Sequence, residues 1–285
     1  MQSIASPQNA KNATRRIHLE YTKLYLFVSL GILLQSCVQI RQKGESFVAS
    51  GKPQFAGPSV FAAHKNKMPV LMVGDSLTVG GFGEAMQAYL LQRFGSNNVA
   101  VYASCGSSPE HWIRSGPKFI TKCGYREQTP QTKVLYDFQN GRRPKHALTP
   151  KLEDLVESFH PKTVIVQLGT NWMDGISTNS RTDDSNYYGQ ILDRFVAAIR
   201  SEPNTVHKII WITPPDSSRY STAVETKVKN LITAAAEKHS FETIDSSRMT
   251  HYVPGKSGGD GVHYNSAAAK EWANQVTREL DGMLQ

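Results

Sequence analysis

A three-layer α/β fold with a parallel central sheet is predicted by three features of this sequence. Five short apolar runs, rich in β-branched residues, recur between residues 68 and 245. Helical stretches separate them. The composition, 39% hydrophobic and 20% charged, is that of a soluble globular protein rather than a disordered or multispanning one. Parallel strands need crossovers and bury both faces, so helices should cover the sheet on each side.

The elements follow in order. MPVLMVG (68–74) is the first strand, and a helix runs from about 82 to 94. NVAVYAS (98–104) is the second strand. TPKLEDLVESF (149–159) holds a short helix, KTVIVQLG (162–169) the third strand, and Tyr187 to Arg200 an amphipathic helix. HKIIWIT (207–213), a helix over 221–239, FETID (241–245) and a last helix over 266–284 complete the series. Residues 112–148 break the alternation. This stretch mixes aromatics, bases and turn residues, and a connection of that length in a compact domain is usually functional. It reads as an insertion beside the active site.

The part before Met68 is different in kind. Residues 1–67 hold nine Lys/Arg against two acidic residues, whereas the remainder holds 23 against 22. The formal charge of +8 therefore sits in the leader, and the count gives no support to a nucleic-acid face on the folded part. Within the leader, a basic segment precedes the apolar run Leu24–Leu34. That run is too short to span a bilayer comfortably, which takes about 20 residues. The order is that of an export signal. Leu34–Cys37 (LQSC) resembles a bacterial lipobox, which makes Cys37 a candidate for lipidation and the N-terminus a membrane attachment. A secretory signal without lipid, cleaved or uncleaved, and a buried N-terminal helix are the other readings. Residues 1–37 are thus the signal, 38–67 a polar, glycine-bearing tether, and 68–285 the domain. Export would also permit Cys105 and Cys123 to pair, the alternative being two free buried thiols. The histidines and cysteines show no metal-ligand spacing such as HExxH or CxxC, so no metal and no cofactor is expected.

In parallel α/β sheets chemistry gathers beyond the carboxyl ends of the strands. Ser76 follows the first strand in GDSL, Gly106 the second in ASCGSS, and Asn171 the third in GTNW; Asp260 and His263 lie in GDGVHYN after the fifth. Singly, each is explained by a cap, a turn or a polar surface. Together they are the parts of ester cleavage. A serine hydroxyl needs a base, for which His263 is the candidate, and the imidazole needs an orienting carboxylate, for which Asp260 lies three residues away. The tetrahedral intermediate needs donors, which the amides of Ser76 and Gly106 and the side chain of Asn171 would provide.

These blocks, Gly74-Asp75-Ser76-Leu77, Gly106, Gly169-Thr170-Asn171 and Asp260-Gly261-Val262-His263, resemble in order those of the SGNH/GDSL hydrolase family. The resemblance implies a flavodoxin-like α/β/α sandwich with a five-stranded parallel core. It also implies Ser76 as nucleophile and oxyanion donor, Gly106 and Asn171 as further donors, His263 as base and Asp260 as its partner. There is no GxSxG elbow. Ser104, Ser107 and Ser108 are rival serines without the strand-to-helix position of Ser76. Trp112, Trp172 and Tyr264 are candidates for lining a substrate groove.

The family's esters are diverse, so the triad does not name the substrate. An exported enzyme with a polar, basic insertion suits a carbohydrate O-acetyl ester or another short-acyl ester. A lysophospholipid or thioester, acyl transfer to a polysaccharide, and noncatalytic glycan binding are the alternatives.

Overall fold

The computed structural model describes residues 69–138, 142, 144–178 and 184–284. The leader (1–37, with Cys37) and the tether (38–67) lie outside the described residues. Element order is β1 (Val70–Gly74), α1 (Ser76–Val79), α2 (Gly81–Phe94), β2 (Val99–Ser104), β3 (Tyr125–Gln128), β4 (Lys133–Tyr136), α3 (Leu152–Phe159), β5 (Thr163–Gln167), α4 (Trp172–Thr178), α5 (Asp184–Ile199), β6 (Lys208–Ile212), α6 (Thr222–His239), β7 (Glu242–Ile244) and α7 (Ser266–Met283).

One seven-stranded sheet carries these strands in the order β4-β3-β2-β1-β5-β6-β7. The five predicted strands, β2-β1-β5-β6-β7, are all parallel. In the order in which they occur along the chain they read 2-1-3-4-5, the doubly wound flavodoxin-like arrangement. Alternation along β1 shows why both faces are covered: Leu71 and Val73 join the core beneath α3, α4, α5 and α6, whereas Val70 and Met72 join the core beneath α2 and α7. Every residue of β1, β2 and β5 is buried, as a sheet coated on two sides requires.

The sheet departs from the five-stranded expectation at one edge. Residues 112–148, expected to be irregular, contain the hairpin β3–β4, which pairs antiparallel with β2 through Tyr102↔Glu127 and Ala103↔Arg126. Its strands, YREQ and KVLY, are only four residues each, too short to stand out in sequence, and YREQ has a single apolar residue. An edge hairpin with one face half-open to solvent does not need more. Pro130 sits where a β-turn accepts proline, in the Thr129–Thr132 turn closed by the bond from Thr129 N to Thr132 O (2.8 Å). The described part of the unmatched chain also includes a short antiparallel bridge between Ile120 and Leu148.

Two further helices were absent from the sequence reading as separate elements, α1 and α4, each under eight residues. Neither is long enough to display a helical apolar period. No helix among the described residues is long and apolar enough to cross a membrane.

The layer of α2 and α7 is held by Phe82 stacked on Trp272, with ring centroids 3.6 Å apart. Trp272 is fully buried, and its Nε1 donates to Ser246 Oγ at 3.1 Å. Trp272→Ala is therefore expected to cost about 3–5 kcal/mol of stability. Urea unfolding at neutral pH checks this, as a lower midpoint with an unchanged slope.

Candidate active site

β1 delivers Ser76 to the first position of α1. Asp75 caps that helix, its Oδ1 accepting from Leu77 N at 3.0 Å. The loop between β7 and α7 delivers the other two groups. It is held by Ser217 Oγ and Ser218 N, which both donate to Gly261 O (2.5 and 3.0 Å), and by Tyr252, whose hydroxyl accepts from Gly261 N at 3.1 Å and donates to His263 O at 3.3 Å. Asn265 closes the loop by capping α7. Within it, Asp260 Oδ1 accepts from the amides of Val262 (3.0 Å) and His263 (2.8 Å), an Asx turn that brings the imidazole over its own carboxylate.

The result is a continuous chain of three side chains. Asp260 Oδ2 lies 2.5 Å from His263 Nδ1, and His263 Nε2 lies 2.8 Å from Ser76 Oγ. Partial burial would raise the Asp260 carboxyl, but the hydrogen bonds from the His263 ring and amide and from the Val262 amide outweigh it, holding the group down at about 2. Asp260 is thus ionised at neutral pH and can only accept. Nδ1 must carry the proton, which leaves Nε2 of the neutral ring to accept from the serine hydroxyl. His263 and Asp260 are about half exposed, 48% and 50%, so the site opens directly to solvent.

The donors expected for an oxyanion lie on the loops after β1, β2 and β5. Neither the Ser76 nor the Gly106 amide donates to any group among the described residues. Gly106 has φ of +83°, where a side chain is strained, and a Cβ there would press on the Lys122 stem at 3.0–3.4 Å. Asn171 Nδ2 donates to Ser107 O at 2.9 Å. That bond uses one of its two N–H groups, ties the third loop to the second, and leaves the other N–H for a ligand.

The rival serines are engaged elsewhere. Ser104 Oγ bonds Thr149 Oγ1 (2.6 Å), Ser107 Oγ donates to Ser104 O (2.7 Å), and Ser108 takes part in capping the short turn Pro109–Trp112. Of the three candidate groove aromatics, Trp112 and Trp172 line no groove, whereas Tyr264 is partly exposed. Trp112 is 0% and Trp172 2% exposed, both within the core under α3, α4, α5 and α6. Trp112 Nε1 donates to Ser107 Oγ (3.0 Å) and Trp172 Nε1 to Glu110 Oε2 (2.9 Å), so these rings brace the oxyanion loops from behind. Tyr264 packs on Tyr252 and Trp272 and gives its hydroxyl to Asp216 O at 2.6 Å. Indole and phenol rings this large complete a core before they line an open rim. Cys105 and Cys123 are joined in a disulfide, Cα atoms 5.3 Å apart, directly beside Gly106 and Lys122.

Three buried polar residues beneath the serine were not singled out from sequence: Gln167, Thr170 and Thr78. Thr78 Oγ1 donates to Gln167 Oε1 at 2.8 Å, and Asp75 is fully buried beside them. Burial pushes the Asp75 carboxyl up to about 6, against the opposing pull of the Leu77 amide, Thr170, the His263 charge and Gln167. Because the folded value exceeds the ordinary 3.8, ionising Asp75 opposes folding. The penalty is absent below about pH 4 and full above about pH 6, where it amounts to about 3 kcal/mol. Asp75→Asn, which keeps the cap, is expected to gain stability over the wild type as pH rises from 4 to 8 and to match it at pH 4, as read from urea unfolding at each pH.

Comparison with known proteins follows the same geometry. The chain resembles the solved structures of a lipase/acylhydrolase from Enterococcus faecalis (18% identity, TM-score 0.47, 76% of this chain and 97% of that one) and a carbohydrate acetylesterase from Sinorhizobium meliloti (14%, 0.48, 76% and 100%). A third is an acetyl xylan esterase variant from Geobacillus stearothermophilus (14%, 0.47, 75% and 94%). No curated protein matches the chain. The family model for GDSL-like lipase/acylhydrolase matches residues 70–276, spanning β1 to α7 with Ser76, Gly106, Asn171, Asp260 and His263 inside it, and the chain belongs to that family.

Proposed function

We propose that the chain is a serine esterase whose preferred substrates are short-acyl esters on hydrophilic alcohols, carbohydrate O-acetyl esters foremost. The observation that carries the reading is the unbroken relay from Asp260 through His263 to Ser76. In this mechanism His263 Nε2 takes the Ser76 proton as Oγ attacks the ester carbonyl, and the new oxyanion is held by the amides of Ser76 and Gly106 and by Asn171 Nδ2. Collapse returns the proton to the departing alcohol, forming an acetyl-Ser76 ester. Water, deprotonated by the same imidazole, then releases the acid.

The surroundings favour a hydrophilic alcohol. His263 and Asp260 are about half exposed, and near Gly261 the rim is polar: Arg219 and Tyr220 both reach Asp174 across it, at 3.3 and 2.8 Å. On the opposite loop the Lys122 stem lies against Gly106. Residues 112–148 carry eight Lys/Arg against two acidic residues, which suits a polar or anionic glycan better than a long acyl chain. Export is part of the same proposal. It is supported by the order of the leader, with Cys37 as the lipidation candidate, and by the Cys105–Cys123 disulfide, a bond suited to an oxidising compartment.

Ser76→Ala and His263→Ala are each expected to lower kcat on p-nitrophenyl acetate by at least about 10⁴-fold. Undiminished turnover in either would overturn the mechanism. Asn171→Ala should lower kcat by about 10²–10³ with little change in KM, since its free N–H acts on charge present only in the transition state. A panel running from acetyl to lauroyl esters, with an acetylated glycan beside them, tests the substrate class. Faster turnover of the lauroyl ester would reverse the ranking in favour of a lipid or thioester substrate.

A further inference from the structure

The helix that carries Ser76 has four residues, too few to hold itself by its own hydrogen bonds. Its N-terminal end is taken by Asp75. Its C-terminal carbonyls are taken by a side chain from the insertion. The guanidinium of Arg126, on β3, donates from Nε to Thr78 O (3.1 Å) and Val79 O (3.2 Å) and from Nη2 to Val79 O (2.8 Å), while Nη1 donates to Gln87 Oε1 on α2 (3.0 Å). Arg126 is 7% exposed and, among the described residues, forms no ion pair with a carboxylate. Burying a cation with Glu84 and Asp137 only in electrostatic reach and no direct ion pair is costly, so this is not a residue that merely fills space. The carbonyls at the end of α1 supply the negative partial charge in direct contact with it.

Two more features make the contact rigid. Gly83, at the start of α2, lies so close to Thr78 O that a Cβ would not fit. The hairpin itself is pinned three residues upstream of Arg126 by the Cys105–Cys123 disulfide and by the backbone bonds from Cys105 N to Gly124 O and from Lys122 N to Cys105 O, each 3.0 Å.

We infer that Arg126 is a positioning residue for the nucleophile, and that the edge hairpin serves to clamp the Ser76 helix through it. The guanidinium touches neither substrate nor the reacting atoms; it acts by fixing the turn from which Ser76 Oγ faces His263. The inference rests on the proposed role of Ser76.

The test uses the full chain with Arg126→Lys, which keeps the charge but loses the planar fork, and Arg126→Gln. Val276→Ala, in the buried face of α7, serves as a control that lowers stability by truncating a core side chain that makes no hydrogen bond to the catalytic groups. Turnover of p-nitrophenyl acetate and the rate of labelling by a fluorophosphonate are measured about ten degrees below the Tm of each protein. Both Arg126 variants are expected to lose about 10- to 100-fold in kcat and labelling rate, as a small misplacement of a reacting group does, with KM within about threefold of wild type. Arg126→Lys should lose less than Arg126→Gln, and Val276→Ala should keep its kcat. A kcat within about twofold of wild type in folded Arg126→Lys overturns the inference, as does an equal loss in Val276→Ala. Arg126→Lys decides alone if Arg126→Gln does not fold. Activity remaining in Ser76→Ala sinks the esterase reading itself; an inert Ser76→Ala beside unimpaired Arg126 variants sinks only the clamp.

Discussion

A single turn of helix is not stable by itself, because the first turn fixes several dihedral angles for very few hydrogen bonds. Ser76, the proposed nucleophile, stands on such a turn, α1, and much of the surrounding structure can be understood as the means of keeping it in place. Asp75 holds one end through the Leu77 amide and Arg126 the other through the carbonyls of Thr78 and Val79. The negative group is at the N-terminus and the positive group at the C-terminus, the order that complements the helix dipole. Both ionised groups are buried. Their desolvation is only partly offset, by hydrogen bonds to backbone rather than by a direct ion pair, so removing either side chain leaves unsatisfied peptide groups.

The same logic extends to the oxyanion loops. Gly106 and Asn171 lie on separate strand ends but are joined by the bond from Asn171 Nδ2 to Ser107 O, and Ser107 is in turn fixed by Trp112. Trp172, the next residue after Asn171, is anchored to Glu110 on the neighbouring loop. Aromatic residues that sequence proximity suggested for a groove are therefore spent on preorganisation. Donors aimed at a developing charge help catalysis only if they need not move to meet it. The insertion has a corresponding role: its disulfide abuts Gly106, its Lys122 stem covers that glycine, and its hairpin supplies Arg126.

Legibility in the sequence followed the physics of each feature. The five parallel strands and the longer helices were readable because each buries a continuous apolar run or a periodic face. The convergence of Ser76, Asp260 and His263 was readable because a doubly wound sheet sends its strand ends to one edge, so polar motifs each just beyond a strand meet there. The hairpin β3–β4 was not readable, since its strands are only four residues long and half-open to solvent, and such a hairpin at the end of a sheet needs little apolar surface. The burial of Trp112 and Trp172 was not readable for a related reason: adjacency in sequence to Ser107 or Asn171 says nothing of the direction in which a ring points.

What the amino-acid sequence by itself determined is therefore the layered α/β class, the order of the strands along the chain and the identity of the groups that can perform acyl chemistry, all of which depend on local pattern and strand-end position. Only the tertiary structure decided that His263 Nε2 meets Ser76 Oγ at 2.8 Å, that the tryptophans face inward, and that an arginine 50 residues beyond Ser76 closes the helix on which that serine stands. A buried arginine ringed by carbonyls has no local signature, because its partners are backbone atoms that every residue possesses. Their convergence exists only once β3 has paired with β2.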